Sequence, residues 1–127
     1  MEWINVNEKL PNEQDVIEYL TIEKEDGTRK VLSVGGDHEC IRYSDDLKNH
    51  VIECFDLMRI ESFQYLNNDD IYIERGLDEE CENLIPNKGF YIWHRYTDYE
   101  CEFSEIIFID EKVVAWMKPY IPDPYMD

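Results

Sequence analysis

Over residues 16–24 the side chains alternate, with Val16, Glu18, Leu20 and Ile22 on one side and Ile17, Tyr19, Thr21 and Glu23 on the other. A period of two with β-branched and aromatic residues predicts a strand. Glu25-Asp26-Gly27 then turns the chain, because Asp-Gly adopts positive φ at little cost, and Lys30–Val34 returns as the hairpin partner until Gly35-Gly36. Cys40–Tyr43 reads as a further short strand. The spacing then changes. Leu47, Val51, Cys54, Phe55 and Met58 form one apolar stripe at helical intervals, behind Ser44-Asp45-Asp46 as an N-cap with acids in the first turn.

Period two resumes over Ile60–Leu66, which reads either as a strand or as a continuation of the helix. Asn67-Asn68-Asp69-Asp70 is a turn cluster leading into Ile71–Glu74. Leu77–Leu84 is acidic and mixed, a loop or one short helix. Pro86–Gly89 is a turn, Phe90–Tyr96 and Glu102–Ile109 are strands, and Asp110-Glu111 turns into a last strand over Lys112–Met117. Pro119, Pro122 and Pro124 forbid further pairing. The elements predict an α+β fold: one antiparallel sheet of about five to seven strands with one principal helix near residues 45–58. At 127 residues the chain has the length of a single globular domain, 1–127.

The opening Trp3-Ile4-x-Val6, the following Leu10-Pro11 and Val16, and the closing Trp116-Met117-x-Pro119 with Pro122 and Pro124 resemble the domain-of-unknown-function family numbered five hundred and fifty-one. The resemblance covers Glu2 to about Ile22 and Val113–Pro124. Ala115 stands where members often carry histidine, and Lys118 separates Met117 from Pro119. The resemblance implies a phage or prophage origin and a small β-rich body, and it implies no catalytic residue. Independently of it, a tryptophan near each end predicts neighbouring terminal strands whose rings, Trp3 and Trp116, close one end of the core.

Composition changes the picture in one respect. Apolar residues make up 43 % of the chain and aromatics 13 %, enough for a core, yet 30 acids face only 12 lysines and arginines for a net charge of −18. Nucleic acid and anionic membranes are disfavoured as direct partners by Coulomb repulsion, and a basic partner is favoured. No apolar run approaches the roughly twenty residues of a membrane span, and no signal peptide is visible, which predicts a cytoplasmic protein, in the cytoplasm of an infected host. Cys40, Cys54, Cys81 and Cys101 are scattered, as reduced cysteines are.

The chemistry-bearing residues form no recognised catalytic pattern. His50 and Cys54 stand four apart on the predicted helix and face the same way, but the paired short spacings of zinc sites are absent. The dense acids lack both an EF-hand pattern and the basic residues that orient a phosphodiester. No nucleophile elbow or phosphate-binding loop is present. We therefore expect no enzyme, no catalytic residue, no metal and no cofactor.

What is left is an acidic, aromatic surface. Between Asp69 and Glu111 the only lysines and arginines are Arg75, Lys88 and Arg95. The residues expected to bind a partner are Asp69, Asp70, Tyr72, Glu74, Asp78, Glu79, Glu80, Glu82, Tyr91, Trp93, Asp98, Tyr99, Glu100 and Glu102. On the strand from Phe90, one face carries Phe90, Ile92, His94 and Tyr96 and the other Tyr91, Trp93 and Arg95; this describes either a strand buried on both sides or an interface. The expected function is a phage- or prophage-encoded inhibitor that mimics DNA, in the manner of anti-CRISPR proteins. Its expected partner is the basic nucleic-acid channel of a host nuclease or defence complex. A virion accessory or self-associating structural protein is the alternative. A small-nucleotide-binding protein is another, and would need a convergent arginine pair in one cavity.

Overall fold

A computed structural model describes residues 2–34, 38–57, 60–66, 72–98, 100–119 and 124–126. In chain order the elements are β1 (Ile4–Asn5), β2 (Tyr19–Glu23), β3 (Arg29–Ser33), β4 (Glu39–Ser44), α1 (Leu47–Leu57), β5 (Ile60–Leu66), β6 (Tyr72–Arg75), α2 (Glu79–Glu82), β7 (Gly89–Asp98), β8 (Cys101–Ile109) and β9 (Lys112–Met117). The fold is α+β with one main helix. In place of the single sheet expected there are two: sheet 1, ordered β1-β9-β2-β3, and sheet 2, ordered β4-β7-β8-β5-β6. Sheet 1 is antiparallel throughout. Sheet 2 is mixed, because β5 runs parallel to β8. Alternation along a strand reports its two faces and says nothing about the partner or its direction, so only hairpins with short turns were readable.

The β2–β3 hairpin forms as its turn chemistry requires. Gly27 sits at φ 85°, and the backbone N–H and hydroxyl of Thr28 both donate to Asp26 Oδ1, at 2.9 and 2.6 Å. Its register sets Leu20 against Leu32 and Ile22 against Lys30. Residues 60–66 are a strand, paired antiparallel with β6, and the turn cluster between them lies outside the described residues. Helix α1 starts at Leu47, so Asp45 and Asp46 precede the first turn that they were expected to occupy. The Asp46 carbonyl accepts the His50 N–H at 3.0 Å, and the otherwise orphaned Leu47 N–H donates to the Asn87 carbonyl at 2.8 Å.

Two apolar cores lie on opposite faces of sheet 2. Ile41, Tyr43, Phe90, Ile92, Ile107 and Ile109 meet Leu20, Ile22 and Trp116 of sheet 1. On the other face Phe63, Tyr91, Ile106 and Phe108 meet Leu47, Val51 and Cys54 of α1, with Leu77, Cys81 and Trp93 at the margin. Sheet 2 is thus the middle layer, and β7 alternates apolar residues into both cores. Each fully buried aliphatic or aromatic side chain contributes about 1.5–3 kcal/mol.

The terminal strands are neighbours, with Ile4 opposite Trp116. Trp116 is fully buried, and its indole N–H donates to the Lys9 carbonyl at 2.9 Å. Trp3 does not close the core with it. Its side chain is 42 % exposed, because Ile4 and Val6 of the same segment take the places against the intersheet core. Among the described residues no helix is long and apolar enough to cross a membrane.

Candidate functional site

The expected partner-binding residues fall at three places on or beside sheet 2. Tyr72 and Glu74 lie on β6, the last strand of that sheet. Asp78 caps α2, and Glu79, Glu80 and Glu82 occupy its single turn. Asp98 and Glu102 belong to the far end of the β7–β8 hairpin, in the registers Asp98↔Cys101 and Thr97↔Glu102, with Glu100 in the connection. Asp69, Asp70 and Tyr99 lie outside the described residues, as do the side chains of Tyr72, Glu74, Asp98 and Glu102.

The capping geometry of α2 is local and firm. Asp78 Oδ1 accepts the Cys81 N–H at 2.8 Å, and this backbone hydrogen bond holds the Asp78 carboxyl below its ordinary range. Asp78, Glu79 and Glu80 are exposed. Among the described residues no lysine or arginine comes within salt-bridge distance of them or of Glu82. The lysine–carboxylate pairs seen are Lys30–Glu111 at 4.0 Å, Lys112–Glu23 at 3.5 Å and Lys118–Asp15 at 3.2 Å, all on strands of sheet 1 or the segments flanking them.

One expected contact needs correction, and a second is half-buried. Tyr91 is buried, 5 % exposed, against α1, and burial pushes its hydroxyl up to about 12. Trp93 is half-buried at the edge of the same core, 6.1 Å from the His50 ring. The helix stripe needs an apolar floor, and this face of β7 supplies it, so Tyr91 is not available to a partner. The opposite face is apolar for the same kind of reason, since Phe90 and Ile92 lie under sheet 1. Over Phe90–Trp93 the strand is therefore buried on both sides.

Beyond Trp93 the environment changes. His94 of β7 stands between Glu39 of β4 and Glu105 of β8, in the register Glu39↔His94↔Glu105. Its Nε2 lies 3.8 Å from Glu39 Oε1 and its Nδ1 3.6 Å from Glu105 Oε2. Gln64 of β5 donates to Glu105 Oε2 at 3.0 Å. The imidazole centroid lies 5.6 Å from that of the Tyr96 ring, and the Tyr96 ring 5.6 Å from that of Phe103, the two pairs tilted by 34° and 32°. Four strands thus build one row that pairs carboxylates with half-buried rings. The sequence showed His94 and Tyr96 on one face, but Glu39, Gln64 and Glu105 come to it only through strand pairing.

Glu39 also lines a cleft of about 260 Å³ where the start of β4 meets the segment leading into β2. Glu18, Tyr19, Val34, Cys40 and Pro119 complete its principal walls. No arginine is among its described lining residues, so the convergent guanidinium pair required by a nucleotide site is not found there.

Cys54 shows no activation. Cys54 Sγ lies 3.8 Å from His50 Nε2, as the i, i+4 spacing anticipated, but burial pushes its thiol up, opposite to the shift that produces a reactive thiolate. Among the described residues no group of three or more histidine, cysteine, aspartate or glutamate side chains is placed to hold a metal ion.

No protein-family model matches the chain, and no curated protein and no solved structure matches it.

Proposed function

We propose that this chain is an acidic binding protein that engages a basic protein surface, and that it acts as a phage- or prophage-encoded inhibitor of a host nucleic-acid-handling factor by presenting carboxylates where phosphates would sit. The observation that carries this reading is the uneven charge matching. Among the described residues no lysine or arginine lies within salt-bridge distance of the exposed acids Asp78–Glu80, Arg75 acting on Asp78 from farther off, while the lysine pairs lie with sheet 1. Surface carboxylates without a close lysine or arginine suit a cationic partner, because they raise the encounter rate, and half-buried rings elsewhere on sheet 2 can add contact area. The phage origin rests on the resemblance of the two terminal segments.

The test is capture from a host lysate at low and high salt, followed by displacement of DNA from the captured complex. We expect a nucleic-acid-binding complex that is retained at low salt, released at high salt and unable to hold DNA while this protein is bound. Binding that ignores salt would remove the mimicry, because charge pairs at an exposed interface are screened over roughly 10 Å at 0.1 M.

One observation favours a second reading, self-association. Among the described residues strand β3 is an edge strand of sheet 1, and it exposes Val31 at 60 %, an arrangement that suits pairing with a second copy. A net charge of −18 opposes the approach of a second copy, which ranks this reading behind the first. Light scattering showing a stable homo-oligomer would reverse the order.

A further inference from the structure

We infer that the cleft at the seam of the two sheets seats a single guanidinium side chain, an arginine contributed by the partner. This inference rests on the proposed binding of a basic protein and names one anchor point for it. Three features of the cleft converge. Its volume of about 260 Å³ lies below the roughly 300–1,000 Å³ of pockets that enclose a whole drug-sized ligand, so it suits one long side chain better than a free cofactor. Two carboxylate residues line it, Glu18 from the segment entering β2 and Glu39 at the first position of β4. Its remaining walls are mixed, with Val16, Ile17, Val34 and Pro119 apolar and Tyr19, Ser33 and Cys40 more polar, which matches an aliphatic stem behind a charged head.

Guanidinium fits better than ammonium. It is planar, carries several donors in fixed directions and is weakly hydrated, so it can bridge two carboxylates in a half-enclosed site at lower desolvation cost. The backbone on one side of the cleft is fixed. The Glu18 N–H donates to the Met117 carbonyl at 2.8 Å and the Ile17 N–H to the Ile41 carbonyl at 3.1 Å, so the segment bearing Glu18 is tied to both sheets. Glu39 is shared with the His94 row, its Oε1 standing 3.8 Å from His94 Nε2.

The test uses the intact chain and n-butylguanidinium as probe, read by amide chemical shifts, with pentanoate as the anion of matched length. We expect n-butylguanidinium to move the signals of Tyr19, Val34 and Cys40 and pentanoate to leave them in place. The double variant Glu18→Gln/Glu39→Gln weakens the probe about tenfold, a loss of about 1.4 kcal/mol, whereas Glu25→Gln in the β2–β3 turn leaves it unchanged. Ser33→Trp, a substitution at the cleft that keeps both carboxylates, blocks the probe by filling space. Equal binding by pentanoate, shifts that map to α2, or full affinity in both the double variant and Ser33→Trp would each overturn the cleft. Probe binding without any salt-sensitive partner in the lysate would instead overturn the proposed function alone. A captured partner unaffected by Ser33→Trp would overturn the cleft alone.

Discussion

The two sheets solve the problem of an acidic chain differently. In sheet 1 and its flanking segments three carboxylates meet a lysine, Glu23 with Lys112, Asp15 with Lys118 and the buried Glu111 with Lys30, while Glu18, Glu25 and Asp26 stay exposed. Sheet 2 and the helices against it leave theirs open, with Asp78, Glu79 and Glu80 exposed and Glu39 and Glu105 sharing one imidazole. Sheet 1 also holds both chain ends, through β1 and β9, and has one face in the core. Sheet 2 is covered on both faces at its centre and keeps its polar chemistry for the ends of its strands. The contrast suggests where to test stability, at the terminal strands of sheet 1, and where to test the proposed recognition, at the strand ends of sheet 2 and the seam between the sheets.

The largest expected effect tests the fastening. Trp116 is fully buried and hydrogen-bonded to the Lys9 carbonyl, so Trp116→Ala removes a large side chain and leaves that carbonyl without its partner. Such truncations cost about 3–5 kcal/mol. Trp3→Ala, at a side chain 42 % exposed, costs less than about 1 kcal/mol. Urea unfolding monitored by circular dichroism compares the two. Equal losses would mean that the two tryptophans close the core together after all, and that the terminal segments are not divided in role.

The second effect concerns Glu111. Its side chain is fully buried, neither carboxylate oxygen has a hydrogen bond, and the Lys30 ammonium stands 4.0 Å away. At that distance the pair returns little of the cost of taking a carboxylate out of water. Glu111→Leu is therefore expected to stabilise the fold by about 1 kcal/mol or more, since Lys30 keeps a partly exposed head that can reach solvent. Thermal unfolding of this variant against Glu111→Gln measures it. A loss of stability in Glu111→Leu would show that the sheet 1 pair contributes net attraction, and would strengthen the contrast with the unmatched acids of sheet 2.

How much of this was legible depended on sequence distance. The β2–β3 hairpin was readable because its signals lie within a few residues: alternation on each side and Asp26-Gly27 between. Helix α1 was readable from one stripe, Leu47, Val51 and Cys54, all of which are buried. The parallel pairing of β5 with β8 was not, since Gln64 meets Ile107 only after the chain has built β6, α2 and β7 in between. The same limit governed the site. His94 and Tyr96 were visible as neighbours on one face, whereas Glu39 and Glu105 reach His94 by pairing across three strands. Tyr91 was misassigned to a partner because an aromatic on a strand looks the same whether a helix of the same chain or another protein covers it.

The smallest effect sharpens the reading of the sheet 2 hairpin end. Glu100 has φ 64° in the connection between β7 and β8, where Asp98 stands opposite Cys101. A left-handed conformation costs an L-residue with a Cβ roughly 1–2 kcal/mol, and glycine avoids this at an entropic cost of about 0.5–1 kcal/mol. The net expectation for Glu100→Gly is a gain of about 0.5 kcal/mol, and Glu100→Asn, which tolerates this region while keeping a side chain, should gain a comparable amount. Both variants also remove one carboxylate from an acid-rich hairpin end. Repeating the measurement at high salt separates the two causes, because screening removes a charge effect and leaves a backbone effect in place. A gain that persists in salt assigns the cost to the turn. A gain that vanishes assigns it to repulsion among the hairpin's carboxylates, and would make this end of sheet 2 a place where the fold gives up stability to keep negative charge in view.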